Sequence, residues 1–387
     1  MDRQEDAGDG ATVKRPIRLK APSGTLPARL ATTVFCAVPP NTPVSAAGID
    51  EIPMAGPYLF ASYSLKRRLV LRRNPNYGGS RPARFREIAI DLNVPAARAV
   101  TAVDAGRSDD VSVVPLDGVP ALDRRYGARS IAARTGDQRY FGGVDPTLHF
   151  FALNARRPLL AGTRMRRAVN EALDRRALAR STLDPPAGGP GRPTDQFTPP
   201  GLPGFRDIAI YPLGGPDPER ARRLAGNRWR RAVLYTCDNP PCREHGRVAR
   251  RNLAAIGIDL EVRHFAYFEL SERLQTPGEP WDLGYSNWFP SVVDASFAAD
   301  LFRRSRMPNA GQFRERRFDR RIRAASRVRD QDARARTYER LDADPARAGA
   351  AAPFAVSATT DFFSDRIGCQ VHQPIYGISL GALCVRG

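Results

Sequence analysis

Apolar and polar residues alternate along the stretch "GPYLFASYSLKRRLVLRRNPNYGG". Tyr58 and Phe60, and then Leu69 and Leu71, stand two positions apart, which is the period of a half-buried strand. Asn, Pro and Gly residues close the stretch, so we predict two strands of a hairpin, followed by a third strand in "REIAIDLN". Residues 50–93 are therefore expected to form part of a sheet.

A helical period replaces this alternation after residue 145, where "LHFFALNA" is one more predicted strand. Apolar side chains recur at helical spacing in "TRMRRAVNEALDRRALAR", with Thr163 as the expected N-cap. Residues 184–204 are rich in Pro and Gly and predict a long surface loop. "DPE" at residues 217–219 favours a helix start, and Gly226 favours its end.

The next unit reads as a strand, a helix and a second strand. "AVLYT" and "IDLEVRHF" are the predicted strands, and "REHGRVARRNLAAIG" is the helix between them, ending at Gly257. This order predicts a crossover with two parallel strands, and "WDLGYSNW" is expected to join the same sheet. Residues 316–342 predict two amphipathic helices, after which the tail returns to strands and turns. The fold class is α/β.

The segment "WFPSVVDASFAADLF", residues 288–302, leaves the carboxyl end of the last of these strands. It places aromatic residues around a single acid in its first half, a composition that suits a small-molecule pocket. Ligands of open α/β sheets bind beyond the carboxyl ends of the strands. The same residues also fit an ordinary strand-to-helix turn with Trp288 in the core. The sequence leaves both interpretations open.

Two cysteines, Cys237 and Cys242, flank the turn-forming residues "DNPP". A disulfide could close this short loop in an oxidising compartment. The alternative is a metal site that adds His245 and His264, but structural zinc sites have four ligands at tighter spacings. We expect neither a metal nor another cofactor.

The chain carries 60 basic and 41 acidic residues, a net charge of +19, and all but three of the basic residues are arginines. Nucleic-acid binding needs basic residues gathered on one surface, whereas these arginines are spread along nearly the whole chain. We therefore expect no nucleic-acid partner. No apolar run is long enough to span a membrane, and the acidic first residues do not form a signal peptide. Contact with a membrane is expected only by association.

Three sequence motifs of catalysis are absent. The chain has no H-E-x-x-H, G-x-x-x-x-G-K-[ST] or G-x-G-x-x-G, and its four histidines lie far apart in the sequence. The sequence therefore predicts recognition of a ligand and no enzymatic activity.

Several stretches resemble motifs of the family-5 extracellular solute-binding proteins, the oligopeptide, dipeptide and nickel receptors of ABC importers. "GPYLFASYSLKRRLVLRRNPNYGG" resembles the G-P-Y and R-N-P-x-Y segment of the family, and "ALNARRPLLAGTRMRRAVNEALDRR" resembles its F-N…R-x-A…A-[IL]-D-R signature. "PPGLPG", "GPDPERARRL" and "LAAIGIDLEV" follow in the order of the family. The resemblance covers nearly the whole chain from about residue 12.

The resemblance implies a two-lobed periplasmic-binding-protein (Venus-flytrap) fold of cluster-C-like type. The expected first lobe comprises residues 1–143 and 358–387, and the second comprises residues 144–357. The first lobe is expected to be incomplete, because the first strands and the extra domain of the family have no counterpart at this N-terminus. The family acts in the cell envelope, in the periplasm or outside the cell, although this chain shows no signal peptide.

The resemblance also implies a ligand-binding site in the cleft between the lobes. Ser291 replaces the acid with which peptide-binding relatives grip the α-ammonium group, and Asp294 is the nearest carboxylate that could meet a cation. The implied partners are a peptide or small-molecule ligand and the permease subunits of an ABC importer. The competing hypotheses are a binding-deficient remnant that acts as an interaction protein, and a basic nucleic-acid-binding protein. The expected ligand-binding residues are Asn287, Trp288, Ser291, Asp294 and Phe297.

Overall fold

The computed structural model describes residues 17–36, 42–43, 54–115, 117–182, 189–302 and 309–387. Its strands are β1 (Tyr58–Ser64), β2 (Arg68–Arg73), β3 (Glu87–Asp91), β4 (Asp110–Val111), β5 (Tyr140–Leu153), β6 (Gly189–Pro193), β7 (Arg230–Cys237), β8 (Ile258–Phe265), β9 (Leu283–Trp288), β10 (Ala351–Phe363), β11 (Ile367–Gly368), β12 (His372–Gln373), β13 (Gly377–Ile378) and β14 (Cys384–Val385).

The α-helices are α1 (Leu26–Leu30), α2 (Ala96–Asp104), α3 (Val119–Tyr126), α4 (Ile131–Arg134), α5 (Thr163–Ala172), α6 (Arg175–Ser181), α7 (Pro218–Ala225), α8 (Pro240–Ala254), α9 (Tyr267–Gln275), α10 (Phe297–Asp300), α11 (Arg316–Ala325) and α12 (Gln331–Arg347). Within the described ranges, no helix has the length and the apolar character needed to cross a membrane.

A seven-stranded sheet forms the centre of the molecule, in the order β4-β10-β5-β9-β7-β8, with β6 added beside β10. β7 is parallel to both β8 and β9, and α8 connects β7 to β8. The predicted strand-helix-strand crossover is therefore confirmed. β5 runs antiparallel to β9 on one side and to β10 on the other.

Two long strands, β5 and β10, extend through two separately packed regions. The largest hydrophobic cluster is built from residues between Leu148 and Val356. Two smaller clusters combine residues of the range 85–141 with residues of the range 362–383. The β5–β10 ladder is irregular between these regions, because Val356 pairs with Leu148 while Ala358 pairs with Val144.

The predicted hairpin and third strand are confirmed as a separate three-stranded antiparallel sheet, β1-β2-β3. Just before β3, Phe85 packs against Ile367 and Leu383 near the C-terminus. The segment around Thr25 has other contacts: Gly24 N–H donates to Ser326 O, and the Thr25 hydroxyl binds Arg334. These two residues of the expected first lobe therefore pack on the helices of the middle segment.

The helix predicted from Thr163 is two helices, because its backbone ladder is broken by side chains. Arg175 donates to Asn170 O at 2.7 Å, and Asp174 N–H donates to Asn252 Oδ1 at 2.9 Å. In a continuous helix, those two backbone groups would bind each other. Asp174 then caps α6, while Gly162 rather than Thr163 is the N-cap residue of α5.

The surface-loop prediction is wrong for the described part of residues 184–204. β6 pairs with β10, and Phe197 is fully buried against Phe302, with ring centroids 4.5 Å apart. Proline and glycine favour irregular backbone but do not determine its burial. The strand-like fragment predicted near residue 12 lies largely outside the described residues, and residues 17–20 form no strand.

Candidate ligand-binding site

Three parallel strands, β7, β8 and β9, end at one edge of the main sheet. Cys237 is the last residue of β7, α9 begins with Tyr267 shortly after β8, and Phe289 directly follows β9. This is the carboxyl edge, at which open α/β sheets bind their ligands. The structure therefore brings the segment after β9 beside residues that follow β8.

The carboxyl edge lies where β5 passes from one packed region to the other. Trp288, at the end of β9, pairs with Leu148 of β5. Leu148 immediately follows the irregular part of the β5–β10 ladder, in which the Asp145 carboxylate accepts from Thr147 N–H at 2.8 Å. Trp288 therefore lies near the boundary between the two packed regions.

Exposed aromatic side chains mark this edge. The exposed fraction is 87% for Phe268 and 65% for Phe289. Tyr267, which is also exposed, donates its hydroxyl to Asn287 Oδ1 at 2.8 Å and so links α9 to β9. Tyr267 and Phe268 are in contact, with ring centroids 5.9 Å apart, and contiguous exposed apolar groups can mark a binding surface. Sequence reasoning missed Tyr267 and Phe268, although their position directly after a predicted parallel strand was a usable signal.

Trp288 is half-buried and stacks on Phe297, with ring centroids 6.2 Å apart and an interplanar angle of 27°. Its indole Nε1 is buried and has no hydrogen-bond acceptor among the described residues. A buried donor without an acceptor costs about 1–3 kcal/mol. Phe297 itself is buried and supports Trp288 from within the core.

Asp294 requires a correction, because its expected cation is supplied by the protein. Both carboxylate oxygens bind Arg334, at 2.6 Å from Nη2 and 3.2 Å from Nε, and both side chains are almost fully buried. Burial alone would raise the pKa of Asp294, but hydrogen bonds from Arg334 and Ser296 outweigh it and hold the pKa below its ordinary value. The carboxylate is therefore a structural group.

The Asp294–Arg334 pair fixes the base of the segment that carries Trp288. Arg334 also donates to Thr25 Oγ1 at 2.7 Å and to Ala325 O at 3.3 Å. The segment after β9 is thus tied to α12, to α11 and to the residues near α1. Ser291 is exposed and Asn287 is half-buried, so both remain candidates for contact with a ligand.

A disulfide joins Cys237 to Cys242 at the carboxyl end of β7. Between them, Asn239 caps α8 by accepting from Cys242 N–H, and His264 donates its ring Nδ1–H to Cys237 O at 3.1 Å. In the described part of the chain, no group of three His, Cys, Asp or Glu side chains is arranged to hold a metal ion. A second disulfide, which the sequence analysis did not anticipate, joins Cys369 to Cys384.

Residues 5–309 match the model of the bacterial extracellular solute-binding proteins, family 5. The chain belongs to this family. Family-5 proteins are non-enzymatic, substrate-binding components of ABC transporters that act outside the cell or in the periplasm. The expected family and the absence of an enzymatic role in that family are thereby confirmed.

Two curated relatives of this family-5 chain are similar over part of their lengths. Protein XP55 of Streptomyces lividans is 25% identical over 313 residues, which are 75% of this chain and 54% of XP55. The oligopeptide-binding protein OppA of Mycobacterium bovis is 27% identical over 230 residues, which are 54% of this chain and 36% of OppA. The chain thus spans about half or less of the length of these relatives.

Solved structures show the same fold. The clavulanic acid biosynthesis oligopeptide binding protein 2 has a TM-score of 0.78 at 22% identity, over 96% of this chain and 70% of that one. DppA of Helicobacter pylori, in complex with the peptide STSA, has a TM-score of 0.65 at 14% identity, over 95% and 71% of the two chains. The predicted α/β periplasmic-binding-protein fold of cluster-C type is confirmed.

Proposed function

We propose that this family-5 protein binds a peptide, or a related small molecule, at the carboxyl edge of β7, β8 and β9 and delivers it to the permease subunits of an ABC importer. The observation that carries the proposal is the group of aromatic residues at this edge, Tyr267, Phe268, Trp288 and Phe289, three of which are exposed. Peptide-binding relatives of the same fold support the class of ligand.

The ligand is held mainly by aromatic surface and by neutral hydrogen bonds in this proposal. Phe268 and Phe289 offer apolar area, and the Asn287 amide and the Ser291 hydroxyl offer polar groups. A few placed polar groups in a largely apolar lining are typical of small-ligand sites.

Closure of the two packed regions over the ligand completes the proposal. The division into residues 1–143 with 358–387 and residues 144–357 places both chain crossings at the irregular part of the β5–β10 ladder. His149 there contacts the Ser357 hydroxyl through Nε2 at 2.8 Å and the Tyr285 hydroxyl through Nδ1 at 2.9 Å. Hinge motions are concentrated in a few residues of this kind, at which regular pairing lapses.

Truncation of Phe289 tests the proposed site. Synthetic tripeptides to pentapeptides are first screened for a rise in melting temperature, and the best peptide is then measured by calorimetry. We expect Phe289→Ala to weaken binding about ten- to a hundred-fold, the usual cost of truncating an aromatic side chain that anchors a ligand. The melting temperature of the ligand-free protein should change little, because Phe289 is 65% exposed.

Trp229 provides the matched control, because it has the same exposed fraction, 65%, but precedes β7 at the amino end of the strand. Trp229→Ala should bind the peptide as the natural protein does. Equal affinities for all three proteins would place recognition away from the carboxyl edge. A screen in which no peptide stabilises the protein would contradict the peptide ligand itself.

The free amino group of a bound peptide should contribute little to affinity, since Arg334 already neutralises the Asp294 carboxylate. A charge-assisted hydrogen bond to an α-ammonium group is worth about 1.5–3 kcal/mol, which corresponds to roughly a ten- to hundred-fold loss when it is removed. We expect N-acetylation of the best peptide to change its Kd less than about threefold. A larger loss would mean that another carboxylate of the chain binds the ammonium group.

A further inference from the structure

Two runs of the chain contain several arginines and no acid. Residues 220–231, "RARRLAGNRWRR", include six arginines, and residues 154–170 include five. The fold brings the two runs together, because α5 packs on α7 and the Arg164 guanidinium donates to Leu224 O at 2.9 Å and to Arg223 O at 2.7 Å. Arginines that are distant in the sequence are therefore gathered at this contact.

A cavity of about 490 Å³ lies at the contact, beside the amino end of β7. Arg164, Arg228 and Arg230 line it together with apolar side chains such as Leu159 and Met165, and no acid is among the described residues of its lining. Its volume is within the usual range for small ligands. Guanidinium groups beside apolar surface suit a phosphate group that is attached to a larger molecule.

Backbone carbonyls orient these guanidinium groups without neutralising them. Arg230 donates to Arg228 O at 2.6 Å and to Ala225 O at 2.9 Å, and Arg164 is held in the same way at the end of α7. Within the described ranges, none of the three arginines that line the cavity forms an ion pair. Their charge therefore remains available to an anion.

An exposed tryptophan lies next to the cavity at the same strand end. Trp229 is largely exposed, and the guanidinium carbon of Arg231 lies 5.7 Å from its ring centroid. Neither residue lines the cavity, so the start of β7 has the cavity on one face and this pair on the other. Tryptophan is enriched at the boundary between lipid headgroups and water, which accommodates both its apolar ring and its N–H.

Two acids at the margin of this surface form only weak ion pairs. Glu219 lies 4.0 Å from Arg223, and Asp259 lies 4.0 Å from Arg231, with all four side chains more than half exposed. Exposed pairs of this kind contribute little, so most of the positive charge persists. The surface is here called the basic patch and comprises Arg164, Arg223, Arg228, Trp229, Arg230 and Arg231.

The basic patch and the proposed ligand site lie at opposite ends of β7. The patch surrounds the amino end of the strand, whereas Cys237 ends the strand at the carboxyl edge. The eight residues of β7 span roughly 25 Å. The patch belongs to the proposed second lobe, whose hydrophobic cluster is built from residues between Leu148 and Val356. A partner bound at the patch would therefore leave the carboxyl edge open.

We propose that the basic patch docks on the surface of a membrane that contains anionic phospholipids. A headgroup phosphate enters the cavity and accepts hydrogen bonds from its arginines, while Trp229 lies among the headgroups. Charge complementarity and the exposed tryptophan favour this partner over a nucleic acid, and family 5 acts outside the cell or in the periplasm. Docking retains the protein at the membrane without occupying the ligand site.

The test measures co-sedimentation of the protein with vesicles of phosphatidylglycerol and phosphatidylcholine in equal parts. Vesicles of phosphatidylcholine alone are the neutral comparison. We expect saturable binding to the anionic vesicles only, with release at high salt, because salt screens exposed charges. The tryptophan fluorescence of the protein should shift to shorter wavelength on binding, and Trp229→Ala should lose that shift.

The decisive variant combines Arg223→Gln, Arg228→Gln and Arg231→Gln. It removes three exposed charges of the patch but retains the arginines that are bonded to backbone carbonyls, so the fold should be unchanged. A basic residue near an anionic surface contributes about fivefold to binding. We expect the triple variant to bind the anionic vesicles at least tenfold more weakly.

The matched control removes the same charge from α11. Arg316, Arg317 and Arg320 are exposed on that helix, and their triple glutamine variant has the same net charge as the patch variant. It should bind the vesicles nearly as the natural protein does. Phe289→Ala should also leave vesicle binding unchanged, so failure of the ligand site and failure of the patch give different results.

Three outcomes would overturn the proposal. Equal weakening by the two triple variants would show that net charge, rather than the patch, attracts the vesicles. Failure of the natural protein to bind anionic vesicles would exclude the membrane as the partner. A short DNA duplex that binds the natural protein more tightly than the vesicles do, and that loses its affinity in the patch variant, would assign the patch to a nucleic acid.

Discussion

Replacing Asp294 with asparagine is expected to lower the free energy of unfolding by about 3–5 kcal/mol, because it leaves the Arg334 guanidinium buried without a counter-charge. The exposed fractions of the two side chains are 1% for Arg334 and 3% for Asp294, so water cannot solvate the unpaired guanidinium. Displacement of Arg334 would also weaken its hydrogen bonds to Ala325 O and Thr25 Oγ1. Urea denaturation measures the loss directly.

The control is an ion pair at the surface. Arg223 and Glu219 have exposed fractions of 70% and 82%, and Glu219→Gln should cost less than about 1 kcal/mol. The double variant Asp294→Asn with Arg334→Met should recover part of the loss, since no buried charge then remains unpaired. A single Asp294→Asn variant as stable as the natural protein would show that the pair contributes nothing.

Acid should weaken the same interaction. The folded state holds the pKa of Asp294 below its ordinary value, so the unfolded chain binds a proton more readily than the folded one. The stabilisation is therefore present above the ordinary pKa of an aspartate and is lost as the pH falls through the lowered one. The difference in stability between the natural protein and Asp294→Asn should shrink accordingly on acidification.

Removing the Cys369–Cys384 disulfide is expected to destabilise the protein by about 3 kcal/mol, the value that chain entropy gives for a loop of this length. The two cysteines are 15 positions apart and join β11 to the end of the chain, beside the cluster that contains Ile367 and Leu383. The double alanine variant should therefore lose amide protection at these two residues first. Urea denaturation and hydrogen exchange measure the two effects.

The Cys237–Cys242 disulfide provides a comparison within the same protein. Cys237 and Cys242 are five positions apart, so the same entropic argument gives about 2 kcal/mol for their removal. Cys36→Ala, at an exposed free cysteine, should be neutral. If the shorter loop proved to be the more stabilising one, loop entropy could not be the main cause.

Periodicity predicted the strands and helices whose own residues alternate or recur with the period of that element. The hairpin of β1 and β2 and the parallel pair of β7 and β8 follow from alternation, turn residues and the strand-helix-strand order, all of which are local. The first half of β5 was missed, because "YFGGVDPT" has glycines and a proline where a strand pattern should be. It is a strand because β10 pairs with it.

The candidate site depends partly on tertiary contacts, which local sequence patterns do not predict. The segment after β9 was located correctly at a strand end, since strand order determines that edge. The partner of Asp294 was not predictable, because Arg334 lies forty positions away on a helix whose apolar stripe indicated only packing. From the sequence alone, a buried arginine in a charged helix cannot be distinguished from an arginine at the surface.

The β5–β10 ladder has a consequence for how the chain is made. Its partners lie roughly 200 residues apart, so β5 leaves the ribosome long before β10 exists. During that interval, one edge of β5 has no partner strand, and the apolar residues of "LHFFAL" lack the packing that β10 later provides. The unpaired edge of β5 is therefore expected to make the partly synthesised chain more prone to aggregation than the folded protein is.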